Sequence, residues 1–247
     1  YIQWVITVFM LLFGINFNLY YFLLLRRFSN VFKSGELWTY LGIYLASVAI
    51  IAINIYGIYG NVEECIRLSA FQVSSVSTTT GFATADFNNW PVLSKAILFL
   101  LMFTGGMAGS TAGGLKTSRI VLLFKTIRRE FSRMLHPRSV SVVKFEGKQV
   151  DDVTLNSVSS YFSLYIGLFI IIFLLVSIDN FDFESSISAV AACINNVGPG
   201  FGKVGPMGSF SGFSAFSKLL LSLAMLLGRL ELYPLMIAFS PSTWTKK

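Results

Sequence analysis

Histidine and cysteine are almost missing from this chain of 247 residues: His136 is the single histidine, and Cys65 and Cys193 are the only cysteines. No cluster of imidazole or thiolate ligands exists for zinc, haem or iron–sulfur, and nothing pairs with His136 to make a nucleophile–base constellation. Charge is scarce too. Asp, Glu, Lys and Arg make up 13% of the residues and apolar types 54%, against about 25% charged in an ordinary soluble domain. That balance excludes a soluble fold. The 19 Lys+Arg against 12 Asp+Glu give a net charge of +7, but in so apolar a chain the position of each charge matters more than the sum, and no nucleic-acid partner is needed.

What is present is long uncharged runs. A bilayer core about 30 Å thick takes about 20 apolar helical residues. Tyr1–Leu25, Leu37–Val62, Ala96–Leu115 and Val153–Ile178 contain no Asp, Glu, Lys or Arg, and Leu219–Phe239 is interrupted only by Arg229 and Glu231. A cleaved signal peptide does not account for the first run, which lacks a basic flank and is followed by four more. Arg26, Arg27 and Lys33 follow it, nine basic residues lie between Lys116 and Lys148, and Lys246 and Lys247 end the sequence. Short basic loops stay cytoplasmic. Glu63, Glu64, Asp86, Asp179, Asp182 and Glu184 then fall on the outer side, and five spans alternate in direction without conflict. The basic run Arg128–Arg138 reads as a solvated cytoplasmic face, or as a contact for anionic lipid or a cytoplasmic partner.

Two outer segments are too polar or too short to span. Leu68–Ala85 starts as a helix and ends in Ser77–Thr78–Thr79–Thr80–Gly81–Phe82; Ile187–Gly202 starts likewise and ends in Asn195–Asn196–Val197–Gly198–Pro199–Gly200. Irregular backbone survives at membrane depth only when buried in protein or lining a wet cavity. A short helix followed by a Gly-containing turn predicts a re-entrant pore loop whose carbonyl oxygens replace an ion's water, with glycine admitting positive φ; the bland alternative is two extracellular loops. The segments belong to an internal repeat. Gly81 aligns with Gly198 at an offset of 117, and SKAILFLLMFTG (Ser94–Gly105) aligns with SKLLLSLAMLLG (Ser217–Gly228) at six identical positions of twelve.

The repeat also places Gly106 at the depth of Arg229. The first unit dissolves there into Gly105–Gly114, with five glycines in ten residues, whereas an arginine at a helix centre costs about 2.5–3.5 kcal/mol to insert unless it meets water or a partner. The pairing predicts a gate, a mobile intramembrane loop beside a fixed positive charge. The alternative is close helix packing at the glycines with Arg229 paired to Glu231. Gly109–Ser118 (GSTAGGLKTS) misses the phosphate-binding pattern G-x-x-x-x-G-K-[ST] by the insertion of Leu115, and no strand is expected before it.

The motifs FQVSSVSTTTGFATADFNNWP (Phe71–Pro91), GGMAGSTAGGLKTSRI (Gly105–Ile120), AVAACINNVGPGFG (Ala189–Gly202) and MLLGRLELYP (Met225–Pro234) resemble the Trk/Ktr/HKT superfamily of cation transporters, most closely its TrkH-type membrane subunits, over the whole chain. The resemblance implies an all-α integral membrane fold of repeated span–pore helix–span units around a pseudo-fourfold cation pore. It implies potassium uptake with no enzymatic activity, K+ as the transported ion, no organic cofactor, and a multi-pass protein of the bacterial inner membrane. It makes Thr79, Thr80, Gly81 and Phe82 one filter strand and Asn196, Val197, Gly198 and Pro199 another. Gly105, Gly106, Gly109, Ser110, Thr111, Gly113, Gly114 and Lys116 become the gating loop, with Arg229 beneath the filter. It also implies a homodimer and a cytoplasmic nucleotide-binding regulatory subunit. Only two pore units are present, so the chain reads as the C-terminal part of a longer protein. Residues 1–36 are then the last helix of an incomplete unit, 37–129 the third unit, 130–152 a basic linker and 153–247 the fourth unit. The reading from another class is a non-transporting membrane scaffold or sensor.

Overall fold

The computed structural model describes residues 1–136 and 142–230, together with Ile237 and Trp244. Arg138, Glu231, Lys246, Lys247 and the end of the final apolar run, apart from Ile237, lie outside the described residues. Helices dominate: α1 (Ile2–Phe13), α2 (Phe17–Leu24), α3 (Phe28–Phe32), α4 (Gly35–Tyr59), α5 (Val62–Ser77), α6 (Val92–Phe103), α7 (Thr117–Leu135), α8 (Asp152–Val176), α9 (Phe183–Ile194) and α10 (Ala215–Leu230). The two described strands, β1 (Lys144–Phe145) and β2 (Lys148–Gln149), form one antiparallel hairpin between α7 and α8.

At 1.5 Å per residue, α4 and α8, with 25 residues each, reach about 37 Å and cross a bilayer. Their outward faces stay apolar: Leu45, Ile53, Ile171 and Leu174 are exposed, the reverse of a soluble helix and the arrangement lipid requires. The 12 residues of α6 and of α9 reach about 18 Å, short of a span. α5 and α9 turn inward instead. Although α5 is rich in serine and glutamine, Ser69, Gln72, Ser74, Ser75 and Ser77 are all buried, and Ser69, Ser74 and Ser77 give their hydroxyl protons back to carbonyls of their own helix. The segments read as re-entrant are thus sheathed by the other helices rather than lying loose as outer loops.

Each repeat centres on its own core, and the two cores share residues: Ala191, Val197 and Phe201 join the first, and Leu115 joins the second. Ile51, Ile55, Val73, Leu98 and Met102 join α4, α5 and α6, and Ile172, Val176, Val190, Ile194 and Leu221 join α8, α9 and α10. The two halves are pinned together at one end. Phe87 meets Phe201 edge to face at 5.3 Å, Asn88 exchanges two hydrogen bonds with the Gly202 backbone at 3.2 and 2.9 Å, and Lys95 donates to Glu184 at 2.8 Å.

The first uncharged run departs from the straight span its length predicts. α1 and α2 meet at 94°. Asn16 breaks the run by capping α2, its side chain accepting from the Asn18 N–H at 2.9 Å, in the manner of any short polar N-cap. Gly14 permits the elbow, because a Cβ there would meet the Tyr40 hydroxyl at 2.2 Å. Further on, α7 continues to Leu135, across the 129/130 position at which the sequence reading passes from third unit to linker.

Candidate functional site

α5 and α9 end in the same way. After each C-cap (Thr78 and Asn195) the next residue is left-handed, Thr79 at φ +54 and Asn196 at φ +56. The Thr79 N–H returns to the Val76 carbonyl and the Thr80 N–H to Ser75, while Asn196 returns to Cys193 and Val197 to Ala192. Both sets are the paired bonds of a Schellman stop, related by the offset of 117 found in the sequence. Gly81 and Gly198 follow, also left-handed, at φ +81 and +110. Asn takes this conformation readily; threonine is β-branched, and left-handed backbone costs it about 1–2 kcal/mol.

The two turns converge. A Cβ on Gly81 would lie 2.4 Å from the Val197 carbonyl oxygen, and one on Gly198 would lie 3.7 Å from the Gly81 Cα. Thr80, Phe82 and Gly198 are exposed at this meeting place, while Val197 is buried. Behind the second turn, Asn195 accepts from the Tyr165 hydroxyl at 2.9 Å and donates to the Ala191 carbonyl at 2.9 Å; Asn196 donates to the Met225 carbonyl of α10 at 3.1 Å.

Between α6 and α7 the chain leaves the helical path for residues 104–116. It does not hang free. Thr104 and Leu115 close its neck as a parallel bridge, with the Gly105 N–H donating to the Leu115 carbonyl at 2.8 Å and the Thr117 hydroxyl to the Gly105 carbonyl at 2.9 Å. The Gly113 N–H donates to the Thr79 hydroxyl oxygen at 2.7 Å, so the loop is moored to the first turn itself. The Met107 N–H donates to the Gly14 carbonyl at 2.9 Å and the Phe17 N–H to the Gly109 carbonyl at 3.2 Å, which attaches the loop to the α1–α2 elbow. The Ser110 hydroxyl bonds the Met107 carbonyl at 2.7 Å within the loop.

The glycines are there for close approach. A Cβ at Gly105 would meet the Gly113 carbonyl oxygen at 2.2 Å, and one at Gly113 the Asn195 carbonyl oxygen at 2.7 Å. Gly106 is as tightly enclosed, by Ala112 and Ser110, and Gly114 takes φ +68 beside Asn195. The loop therefore passes against both turns.

Arg229, on α10, donates to the Thr111 carbonyl at 3.3 Å, so the residue that repeat alignment sets level with Gly106 touches the same loop. Glu231, its alternative partner in the sequence, lies outside the described residues. Lys116 donates to the Ala112 carbonyl, and the Arg119 guanidinium sits 4.1 Å from the centroid of the Tyr161 ring. A cavity of about 240 Å³ opens beside the loop, lined by Thr111, Gly113, Lys116, Arg119, Tyr161 and Arg229 among others. The GSTAGGLKTS segment lies wholly on this loop and the first turn of α7, preceded by helix α6 rather than by a strand.

At the other end, Asp179 accepts from the Ser214 N–H at 2.9 Å, and that bond holds its carboxyl below the usual carboxylate range. Burial pushes the Asp182 carboxyl up, but the N–H and hydroxyl of Ser185 outweigh it and leave the net shift downward. Both acids stay charged near neutrality.

Sequence reasoning missed the residues that hold the loop from outside it. Glu36 is buried and accepts from the Ala108 N–H at 2.8 Å; it stood in the sequence as the charge bounding an apolar run. Asn16 and Gly14 were absorbed into that kind of run, although a Gly two residues before an N-capping Asn is a helix-break signal.

Residues 40–246 match the family model TrkH, described as a cation transport protein. The chain is 35% identical over 246 residues to the Trk system potassium uptake protein TrkH of Salmonella typhimurium, covering 98% of this chain and 50% of that protein. It is 39% identical over 240 residues to the potassium uptake protein TrkG of Escherichia coli, covering 96% and 49%. Its fold superposes on the crystal structure of the potassium transporter TrkH from Vibrio parahaemolyticus with a TM-score of 0.89 at 32% identity, over 99% of this chain and 53% of that one. The chain thus spans about half the length of the relatives it matches, all of them named as transport rather than catalytic proteins. On the family match and these identities, this chain belongs to the TrkH family of cation transport proteins.

Proposed function

We propose that the chain forms half the wall of a potassium uptake pore in the inner membrane of a bacterium. Thr79–Phe82 and Asn196–Pro199 are two strands of its selectivity filter, and residues 105–116 are the gate. The observation that carries this reading is the pair of superimposable helix stops whose glycines meet within a Cβ's reach of a carbonyl oxygen. In each turn a residue of positive φ recurs at every second position, Thr79 and Gly81 in one and Asn196 and Gly198 in the other, which suits a row of carbonyls offered to a dehydrating ion. α5 and α9 also bring their C-terminal ends, the negative ends of the helix dipoles, to the same place. The rest of the longer protein supplies the other half of the ring. Residues 37–129 and 153–247 act as the third and fourth units, and the basic face is cytoplasmic. Asp179 and Asp182 concentrate cations at the outer mouth.

The deciding experiment is rubidium uptake into proteoliposomes of the full-length protein, with and without substitutions in the two turns. Uptake whose ion preference follows those substitutions supports the pore; no uptake, or uptake indifferent to them, leaves a membrane scaffold. Arg229→Ala tests the gate in the same assay. With its positive charge and its bond to Thr111 removed, uptake rises several-fold. A fall to background with normal expression makes Arg229 a structural partner instead.

The cytoplasmic regulator and a homodimer belong to the proposal as well. Arg128 and Arg133 are exposed on α7, while Arg129 is held by Asp152 at 2.5 Å and Glu130 at 3.0 Å. Reversing charge at Arg128 and Arg133 is expected to weaken stimulation by a nucleotide-loaded regulatory ring and to leave ion preference unchanged. Arg129 is unsuitable for this purpose because its pair with Asp152 ties α7 to α8, whereas the Arg133–Glu130 pair at 3.3 Å is exposed and lies within α7. Undiminished stimulation places the contact elsewhere.

A further inference from the structure

Outside the two turns and the loop, two carboxylates form a chain of contacts that the pore itself does not require. Glu146 occupies the tip of the β1–β2 hairpin, at φ +48 beside Gly147 at φ +76, and is exposed. It reaches across 110 residues of sequence to the start of α4. There its carboxylate accepts from the Ser34 hydroxyl at 3.1 Å and from the Glu36 N–H at 3.1 Å. It therefore serves as an external cap on the first turn of α4, where negative charge is favoured, while Ser34 accepts from the Leu37 N–H.

Glu36 in turn is 4% exposed. Its carboxylate accepts from the Ala108 N–H at 2.8 Å. The hairpin has a second hold. The Lys125 ammonium of α7 donates to the Lys144 carbonyl at 2.8 Å, and Val143 is buried against Leu122 and Leu155. The hairpin thus grips both flanks of residues 105–116, one through α4 and Glu36, the other through α7, which continues from the loop.

We infer that Glu146 and Glu36 are positioning residues for the gate, a two-carboxylate relay by which force on the hairpin at the basic face unseats the loop from Thr79. This rests on the reading of residues 105–116 as the gate. A partner that draws the hairpin away from α4 removes the cap on Ser34 and Glu36, loosens the first turn of α4, and frees Ala108. The ion path is not touched, so ion preference stays constant while the fraction of open gates changes.

The test is rubidium uptake by the full-length protein in proteoliposomes without any regulator. Glu146→Ala, at an exposed hairpin tip, is expected to raise uptake about fivefold, equivalent to about 1 kcal/mol, with the rubidium-to-sodium ratio unchanged. Glu146→Gln, which keeps an acceptor for both donors, stays within about twofold of the parent. In a Glu36→Gln background, the increment from Glu146→Ala shrinks, because both act along one path. Gly113→Ala, which pushes the loop off the Asn195 carbonyl, serves as the control for the gate. If it raises uptake and Glu146→Ala does not, the relay is wrong and the gate stands; if neither moves uptake, the gate reading fails first. A changed ion ratio in Glu146→Ala would also overturn the relay, since it would mean that the filter had been disturbed.

Discussion

Gly81→Ser in the full-length protein is expected to cut the preference for potassium over sodium by about tenfold or more, and Gly198→Ser by distinctly less. The asymmetry comes from geometry rather than from the motif, in which the two glycines are equivalent. At Gly81 a Cβ would lie 2.4 Å from the Val197 carbonyl oxygen, far inside contact distance, so the neighbouring strand must shift. At Gly198 the nearest atom to an added Cβ is 3.7 Å away, an ordinary contact, and the cost arises from the positive φ alone. Displacing one carbonyl by a few tenths of an ångström removes a ligand from the ion, and about 1.4 kcal/mol is a factor of ten. The check is the ratio of rubidium to sodium uptake for each variant, normalised to folded protein. Equal losses at both positions would mean that backbone strain, not the carbonyl contact, governs the filter.

The second large effect is expected from Thr79→Val. This substitution keeps shape and branching but deletes the hydroxyl oxygen that accepts from the Gly113 N–H at 2.7 Å. A buried N–H left without an acceptor costs about 1–3 kcal/mol, paid only while the loop is seated. The seated form therefore loses to the unseated one, and regulator-free uptake should rise about tenfold or more. Because the proposed filter uses the Thr79 carbonyl and not its hydroxyl, the ion ratio should hold. The bond also explains why a threonine tolerates φ +54 where the second repeat has Asn196. Asn196 spends its amide on the Met225 carbonyl, and no loop needs mooring there. Unaltered uptake in a folded Thr79→Val protein would leave the Gly113 contact without a role in gating.

How far the sequence discloses this arrangement depends on the range of each interaction. The re-entrant turns are legible because their signals are local: serines and threonines give way to a glycine within a few residues, and the repeat states the same pattern twice. The Gly105–Gly114 break is legible for the same reason, since no helix carries glycine at that density. The elbow at Gly14–Asn16 is not visible from run length, because an uncharged stretch has no direction; Asn16 marks it only once N-capping is considered. Glu36 and Glu146 stay hidden altogether. Their partners are 72 and 110 residues away, and a lone carboxylate at the edge of an apolar run looks like a boundary. The linker, read for its net charge, contains in Glu146–Gly147 a two-residue turn whose positive φ values make the hairpin possible.

The elbow between α1 and α2 has a consequence for transplanting the loop. The loop completes its bonding on a neighbouring stretch of chain: Gly14 and Phe17 take part through their backbones, the Phe13 carbonyl accepts from the Thr111 hydroxyl, and a side chain at Gly109 would run into Asn16 at 2.9 Å. The loop is thus no self-sufficient cassette. A chimera that transplants residues 106–111 from a distant relative without residues 13–17 is expected to strand the main-chain donors and acceptors that now pair across them, and to fold only when both stretches come from one parent.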